Sequence, residues 1–349
     1  MQYLTLEELE TVIIDFTSHC NSMCGNCSRN IDGVSVNPIM PLEHMTLENW
    51  KKIFTADVLK NIKEIIFNGS YGDPIFNPNL IPALEYIKDT TKNLPVISIH
   101  TNGGLGTSKL WEKIAFTLQD FPFPSHVTFS IDGLSDTNHL YRRGVIWDKI
   151  MQNAETFISA GGRARWRMLV FDHNCHQIEQ CETLAKEMGF QKFDINGGHT
   201  FSAINSLVGD AIEKFKANKK EESRAITYKK DFLDNRDRLI KLKEKHGSLD
   251  AGFENAQIVC KWKTKNKIQI SHMGEVFPCC YFLSDRYSRH PQGVYAQDVQ
   301  KIINFGEENW NNTNHFDLDT ILNHEWFTHL VDSWNNKNRY AICERTCGQ

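Results

Sequence analysis

The stretch TVIIDFTSHCNSMCGNCSRN, residues 11–30, sets the reading of this chain. It opens with a short β-branched apolar run, the pattern of a strand. That run passes straight into a loop carrying Cys20, Cys24 and Cys27, with three and then two residues between them and no further cysteine until Cys175. Thiolates are soft ligands, suited to zinc or to an iron–sulfur cluster. Structural zinc takes four protein ligands, usually from two paired units, and here one loop stands alone. His19 would be the fourth ligand, yet it directly precedes Cys20 and is awkward to aim inward. Three cysteines on a four-iron cluster leave one iron for an external ligand. Spacing favours that cluster and leaves zinc and unliganded thiols as alternatives.

Outward from this loop, β-rich runs alternate with helical patterns. Strands are expected at 11–17, 64–70, 96–104, 126–133, 165–171 and 192–197, with helical stretches such as TLENWKKIFT and SKLWEKIAFTLQD between them. The β-α order predicts a parallel sheet or barrel, with fewer units than a complete eight-fold barrel needs. The segments NGS, HTNGG, SIDG, FDHN and NGG follow apolar runs on the C-terminal side, the edge where parallel α/β folds collect ligands. The cysteine loop opens onto that same edge.

The 349 residues suffice for one large domain with an appendage or for two domains. A hydrophobic share of 40%, a charged share of 23% and a net charge of −4 fit a soluble enzyme and give no reason to expect general nucleic-acid binding. The acidic start MQYLTLEELE lacks the basic and apolar regions of a signal peptide, and no apolar run reaches the ~18 residues of a membrane span. A cytoplasmic location is the expectation. Ten cysteines without a secretory signal point to metal binding or catalysis rather than to disulfides.

Residues 201–255 read as a charged helical connector, with 12 Lys/Arg against 7 Asp/Glu between 213 and 247. The sharper alternative is a basic lid over an anionic substrate. Beyond it KIQISHMGEVFPCC reads as a small hairpin. His315, His324, Trp326, His329 and Trp334 in the tail read as helix-face packing before pocket lining. Cys181 falls in step with Ile178, Leu184 and Met188, a core position.

The spacing of Cys20, Cys24 and Cys27 is the CxxxCxxC of the radical S-adenosylmethionine (radical SAM) superfamily, and the chain resembles that family. The resemblance implies a partial (β/α)6 TIM-like barrel over residues 1–200. It also implies a 4Fe–4S cluster whose open iron binds SAM and whose electron releases a 5′-deoxyadenosyl radical. NGSYGDP resembles the family's GGEP-type segment, which puts Gly69, Ser70, Gly72 and Asp73 near SAM. HTNGG and SIDG resemble the next two loops and add Thr101, Asn102, Ser130 and Asp132, with YRRG (141–144) also familiar in its place. Arg167 and Asn174 are the counterparts expected near the SAM carboxylate and adenine. The family often has an aromatic or apolar residue before the third cysteine; Asn26 stands there, which leaves the adenine contact open.

Cys260, thirteen residues, Gly274, four residues and Cys279 resemble the opening of the auxiliary-cluster domains called SPASM and twitch. Cys343 and Cys347 complete four ligands, so the resemblance is to the shorter twitch type. A small C-terminal α+β domain over 256–349 with one auxiliary 4Fe–4S cluster is expected, and structural zinc on the same residues is the alternative. Cys279 is preferred to Cys280, because strand neighbours point to opposite faces. Relatives with such domains dehydrogenate small alcohols and sugars, or oxidise and crosslink peptide side chains. The expected function is hydrogen abstraction from a peptide or small metabolite followed by two-electron oxidation, with an external donor such as flavodoxin or ferredoxin. A non-catalytic metal-binding protein is the alternative from another class. About ten residues precede the first strand, which leaves no room for an N-terminal peptide-recognition domain. Cys175, after the fifth strand, reads as incidental before a radical relay or hydrogen donor, and no other catalytic side chain is singled out.

Overall fold

The computed structural model describes residues 2–25, 27–31, 33–171, 173–197, 239–336 and 339–349. Asn26 and the expected connector up to residue 238 lie outside the described residues; 239–246 and Leu249–Asn255 are helical.

The six expected strands form. They are β1 (Thr11–Asp15), β4 (Glu64–Asn68), β5 (Val96–Thr101), β6 (His126–Ser130), β7 (Ala164–Val170) and β8 (Lys192–Gly197). A short antiparallel pair, β2 (Asn30–Ile31) and β3 (Ser35–Val36), follows the cysteine loop. Helices α1 (Leu47–Ile53), α2 (Ala56–Leu59), α3 (Leu80–Thr90), α4 (Ser108–Gln119), α5 (Asn138–Tyr141), α6 (Trp147–Ser159) and α7 (Ile178–Glu187) connect the strands. Thr46 and Thr107 start α1 and α4 by accepting from Asn49 N–H and Leu110 N–H, at 3.1 and 3.3 Å.

The hairpin expected after the connector forms as β9 (Lys267–Ile270) and β10 (Val276–Phe277). Hydrogen bonds order the sheet β10-β9-β1-β4-β5-β6-β7-β8, open and parallel except for the β9–β10 pair. This is the partial TIM-like barrel with one addition, since β9 pairs parallel with β1. The C-terminal segment thus extends the barrel sheet on its β1 edge; the rest of it is mostly helical. β1 becomes an interior strand, and the cysteine loop springs from the middle of the sheet.

Register gives the sheet two unlike faces. Val12, Ile65, Ile97, Val127 and Trp166 are buried beneath the helices. There Trp50 stacks on Phe67 and Phe16 meets both edge-on, with ring centroids 5.2–5.3 Å apart, each pair contributing about 0.5–1.5 kcal/mol beyond its buried area. The opposite, inner face carries Asp15 and Asn68 in register, Thr128 beside Arg165, and Arg167 beside Asp194. It is polar. In the tail, Trp326 is fully buried and His324 stacks on Trp310 at 4.0 Å while capping helix Glu325–Ser333, as expected of packing residues, whereas His315 and His329 are exposed and His329 lines a surface cavity with Phe305 and Tyr340. Cys181 is fully buried on α7. Among the described residues no helix is long and apolar enough to cross a membrane.

Candidate metal centres and active edge

The cysteine loop is braced from below by two buried polar side chains. Arg29 Nε donates to Ser18 O at 2.8 Å and its Nη1 to Asn30 Oδ1 at 3.0 Å; Asn30 Nδ2 donates to Cys24 O at 3.1 Å. Donors also face the sulfurs. Ser22 N–H reaches Cys20 Sγ at 3.3 Å, Ser22 Oγ lies 3.0 Å from Cys24 Sγ, and Asn102 Nδ2 reaches Cys20 Sγ at 3.5 Å. Burial, reinforced by the Asp73 carboxylate, pushes the Cys20 thiol up to about 12, and burial with the Cys24 charge pushes Cys27 up to about 11. A bound metal would reverse that, since coordination deprotonates a thiol outright.

The turn after β4 presses against this loop. Asp73 N–H donates to His19 O at 2.8 Å, and a Cβ on Gly72 would lie 2.2 Å from Thr17 O. Only glycine fits there. Ser70 O faces Cys27 Sγ at 3.9 Å, and Ser70 N–H donates to Asp15 at 2.9 Å. Asp73 itself turns inward: its carboxylate accepts from Thr101 Oγ1, twice at 2.9 Å, from Asn102 N–H at 2.7 Å and from Ile75 N–H at 3.1 Å. Burial raises its pKa. Asp73 and Thr101 therefore clamp the second loop to the third, and their side chains have little left for a ligand.

The same correction applies further along. Asp132 is fully buried, accepting from Leu169 N–H at 2.6 Å and paired with Arg142 Nε at 2.8 Å. Asn174 donates to Asp132 O at 3.0 Å and Leu169 O at 2.8 Å, and accepts from Phe171 N–H at 2.7 Å. Among the expected cofactor contacts, Ser130 and Arg167 keep side chains without a hydrogen bond to described residues, and Gly69 lies exposed at the start of its turn. Asn102 holds Asn21 Oδ1 at 2.8 Å besides Cys20. Cys175, half-buried at the start of the 3₁₀ turn Cys175–Gln177, is positioned by its N–H donating to Phe171 O. The sequence showed YRRG in its place but gave no role to Arg142, whose buried charge acts on Cys27 and on Cys24. Two consecutive arginines after SIDG were the signal.

The C-terminal cysteines are gathered by two devices. Strand-like bonds between 257–259 and the chain end, Val259 N–H to Cys347 O at 3.1 Å and Gln349 N–H to Gln257 O at 2.8 Å, bring Cys260 to Cys347. Cys343 and Cys347 lie one turn apart on helix Ala341–Cys347, on one face. Cys260 and Cys347 share a hydrogen bond, which pushes Cys260 up and Cys347 down. Cys279, buried at a helix start, is pushed up by burial and by the charges of Cys280, Cys343 and Cys347, whereas Cys280 is half-buried. Tyr3 sits among them, its hydroxyl 3.8 Å from Cys260 Sγ and donating to Pro278 O at 2.9 Å. Among the described residues, no three His, Cys, Asp or Glu side chains already converge as ligands of a single metal ion.

Residues 14–180 match the family model described as the radical SAM superfamily. No curated protein matches the sequence at a significant level. Among solved structures, Streptococcus suis SuiB bound to the precursor peptide SuiA is similar at 16% identity and a TM-score of 0.61, covering 99% of this chain and 72% of that one. Histidine-tagged anSMEcpe with bound AdoMet is similar at 15% identity and a TM-score of 0.56, covering 94% and 81%. Native anSMEcpe with AdoMet and the Cp18Cys peptide is similar at 15% identity and 0.54, covering 97% and 88%. At such identities the likeness is one of fold. The match over 14–180, just under half of the chain, spans the three-cysteine loop and the loops after β4, β5, β6 and β7 and makes this segment a radical SAM domain, which implies a 4Fe–4S cluster and SAM.

Proposed function

We propose that the chain is a radical SAM enzyme acting on a peptide, with Cys20, Cys24 and Cys27 holding the first cluster and Cys260, Cys279, Cys343 and Cys347 holding a second. The observation that carries the reading is the donor set of the first loop: three thiols with no fourth cysteine near them in sequence, and hydrogen-bond partners at the sulfurs of Cys20 and Cys24. A closed structural zinc shell would need that fourth ligand. When bound, the first cluster with SAM supplies a hydrogen-abstracting 5′-deoxyadenosyl radical, and the second supplies an electron acceptor for a two-electron oxidation.

The chain's own part is positioning and exclusion. Gly72 brings the second loop's backbone against the cysteine loop, Asp73 and Thr101 fix that loop to the third, and Ser130 ends its strand at the edge. A peptide is favoured because SuiB and anSMEcpe, which share the fold across nearly this whole chain, are solved with peptides bound. An external donor such as flavodoxin or ferredoxin would reduce the first cluster. The test is anaerobic reconstitution followed by reduction. Release of 5′-deoxyadenosine and methionine is expected; a protein that carries both clusters and never cleaves SAM, with peptides present or absent, rules the reading out.

A further inference from the structure

Tyr3 is fully buried beside the second set of cysteines, although Cys260 lies 257 residues further along the chain. Contacts with the C-terminal segment hold it there from several sides. Lys263 Nζ donates to Gln2 O at 2.7 Å and to Tyr3 O, and it stands 5.7 Å from the centroid of the Tyr3 ring. Phe327 and Trp334 pack on that ring with centroids 5.4 and 6.4 Å away. Leu4 is buried as well, and Gln2 Nε2 donates to Asn323 Oδ1 at 2.6 Å. These contacts fix the position of the hydroxyl. It donates to Pro278 O at 2.9 Å, the carbonyl of the peptide bond to Cys279, and its oxygen lies 3.8 Å from Cys260 Sγ.

Packing alone does not account for that oxygen. A phenylalanine would fill the same space against Phe327 and Trp334 with no polar group to take out of water. What the hydroxyl adds is a donor within reach of a sulfur. While Cys260 is a thiol, either atom can donate across the 3.8 Å contact. A thiolate that ligates a cluster has lost its proton and can only accept. It is also a stronger acceptor than the neutral Pro278 carbonyl, because charge roughly doubles the strength of a hydrogen bond. The hydroxyl proton reaches the sulfur by turning about the C–O bond, with no heavy atom displaced. Lys263 N–H donates to the same sulfur at 3.4 Å, and as a backbone group it survives any change at Tyr3.

We propose that Tyr3 is a positioning residue for the second cluster, its hydroxyl donating to the Cys260 thiolate and making that cluster easier to reduce. This rests on the two-cluster reading above and deepens it. Hydrogen bonds to the sulfurs are among the factors that set a cluster's potential. Reduction adds negative charge, which a donor at the sulfur stabilises, so removing the donor favours the oxidised form. A cluster that takes up the substrate's electron gains from such a bond.

The test uses protein reconstituted with both clusters, as the parent and as Tyr3→Phe, which keeps the ring and removes only the oxygen. Each is also made in the Cys24→Ala background, which takes away the signal of the first cluster. Redox titration followed by absorbance and electron paramagnetic resonance reads the reduced-to-oxidised ratio of the second cluster at a fixed potential. We expect Tyr3→Phe to lower that ratio about tenfold, a shift of ~59 mV for one electron, with iron and sulfide content unchanged. Tyr340→Phe is the control: its buried hydroxyl meets Trp326 Nε1 at 3.0 Å rather than a sulfur, and its loss should leave the potential where it is. An unchanged or raised potential in Tyr3→Phe, or an equal fall in Tyr340→Phe, overturns the proposal. So does a Tyr3→Phe protein that loads no second cluster, since the hydroxyl would then build the site rather than tune it. Zinc in place of iron at the C-terminal cysteines of the parent would instead count against the two-cluster reading, because metal content is read before any titration.

Discussion

With its oxygens taken by Leu169 N–H and the Arg142 guanidinium, Asp132 holds the fourth and fifth loops of the active edge together rather than a ligand. Burial raises its pKa, and Arg142 opposes that shift. Removing one member of a buried pair leaves the other charged and unpaired, a loss of about 3–5 kcal/mol. Asp132→Asn should therefore lower the unfolding free energy by that amount, measured by denaturant titration, and Arg142→Met should cost a comparable amount. Equal stability of both variants and the parent would show that the pair is not structural. Cys24 predicts a different outcome. Cys24→Ala should lose SAM cleavage and about half of the bound iron and sulfide while the C-terminal site keeps its cluster, as read by iron analysis and absorbance of the reconstituted protein.

At the scale of loops and strands, close approach of backbones decides the edge. The Cβ of a Gly72→Ala variant would fall within 2.2 Å of Thr17 O and 2.8 Å of His19 O, both backbone atoms that cannot swing away. The second loop must then back off the cysteine loop, at an overpacking cost of about 1–3 kcal/mol. Reconstitution of the first cluster should fall sharply in that variant while the C-terminal cluster loads normally, as iron and sulfide counts would show. The strands were legible because apolar runs such as EIIFN and VISIH alternate between a buried outer and a polar inner face. The cysteine loop was legible because its spacing is local. The partner of β9 was not: KIQI reads as a strand anywhere, and its pairing with β1 spans more than 250 residues. Nor could spacing tell that Asp73 and Asn174 turn inward, since a saturated carboxylate or amide has the same letter as a ligand-facing one.

For the whole molecule, buried titratable groups with opposed shifts set the response to acid. His126 and His272 have pKa values lowered to about 4, chiefly by burial, so their contribution is present above the ordinary 6.5 and is lost as pH falls toward 4. Between pH 7 and 5 each costs roughly 2 kcal/mol. Asp15 runs the other way. Burial raises it to about 6, so its neutral form is favoured by folding, and stability is lost as pH rises through that value. On going from pH 7 to 5 it returns only about 1 kcal/mol. Of these three groups the histidines win, and their combined contribution should fall on mild acidification. Thermal unfolding of the parent, His126→Gln, His272→Gln and Asp15→Asn at pH 7, 6 and 5 separates the contributions, because effects common to all four, including acid damage to clusters, cancel in the differences. Each histidine variant should fall less steeply than the parent. Asp15→Asn should be the more stable protein at pH 7, since Gln269 Oε1, buried without a partner, can accept from the new amide. It should also fall more steeply, having lost the group that offsets the histidines. A parallel course for all four would mean that none of the three groups changes its proton affinity on folding.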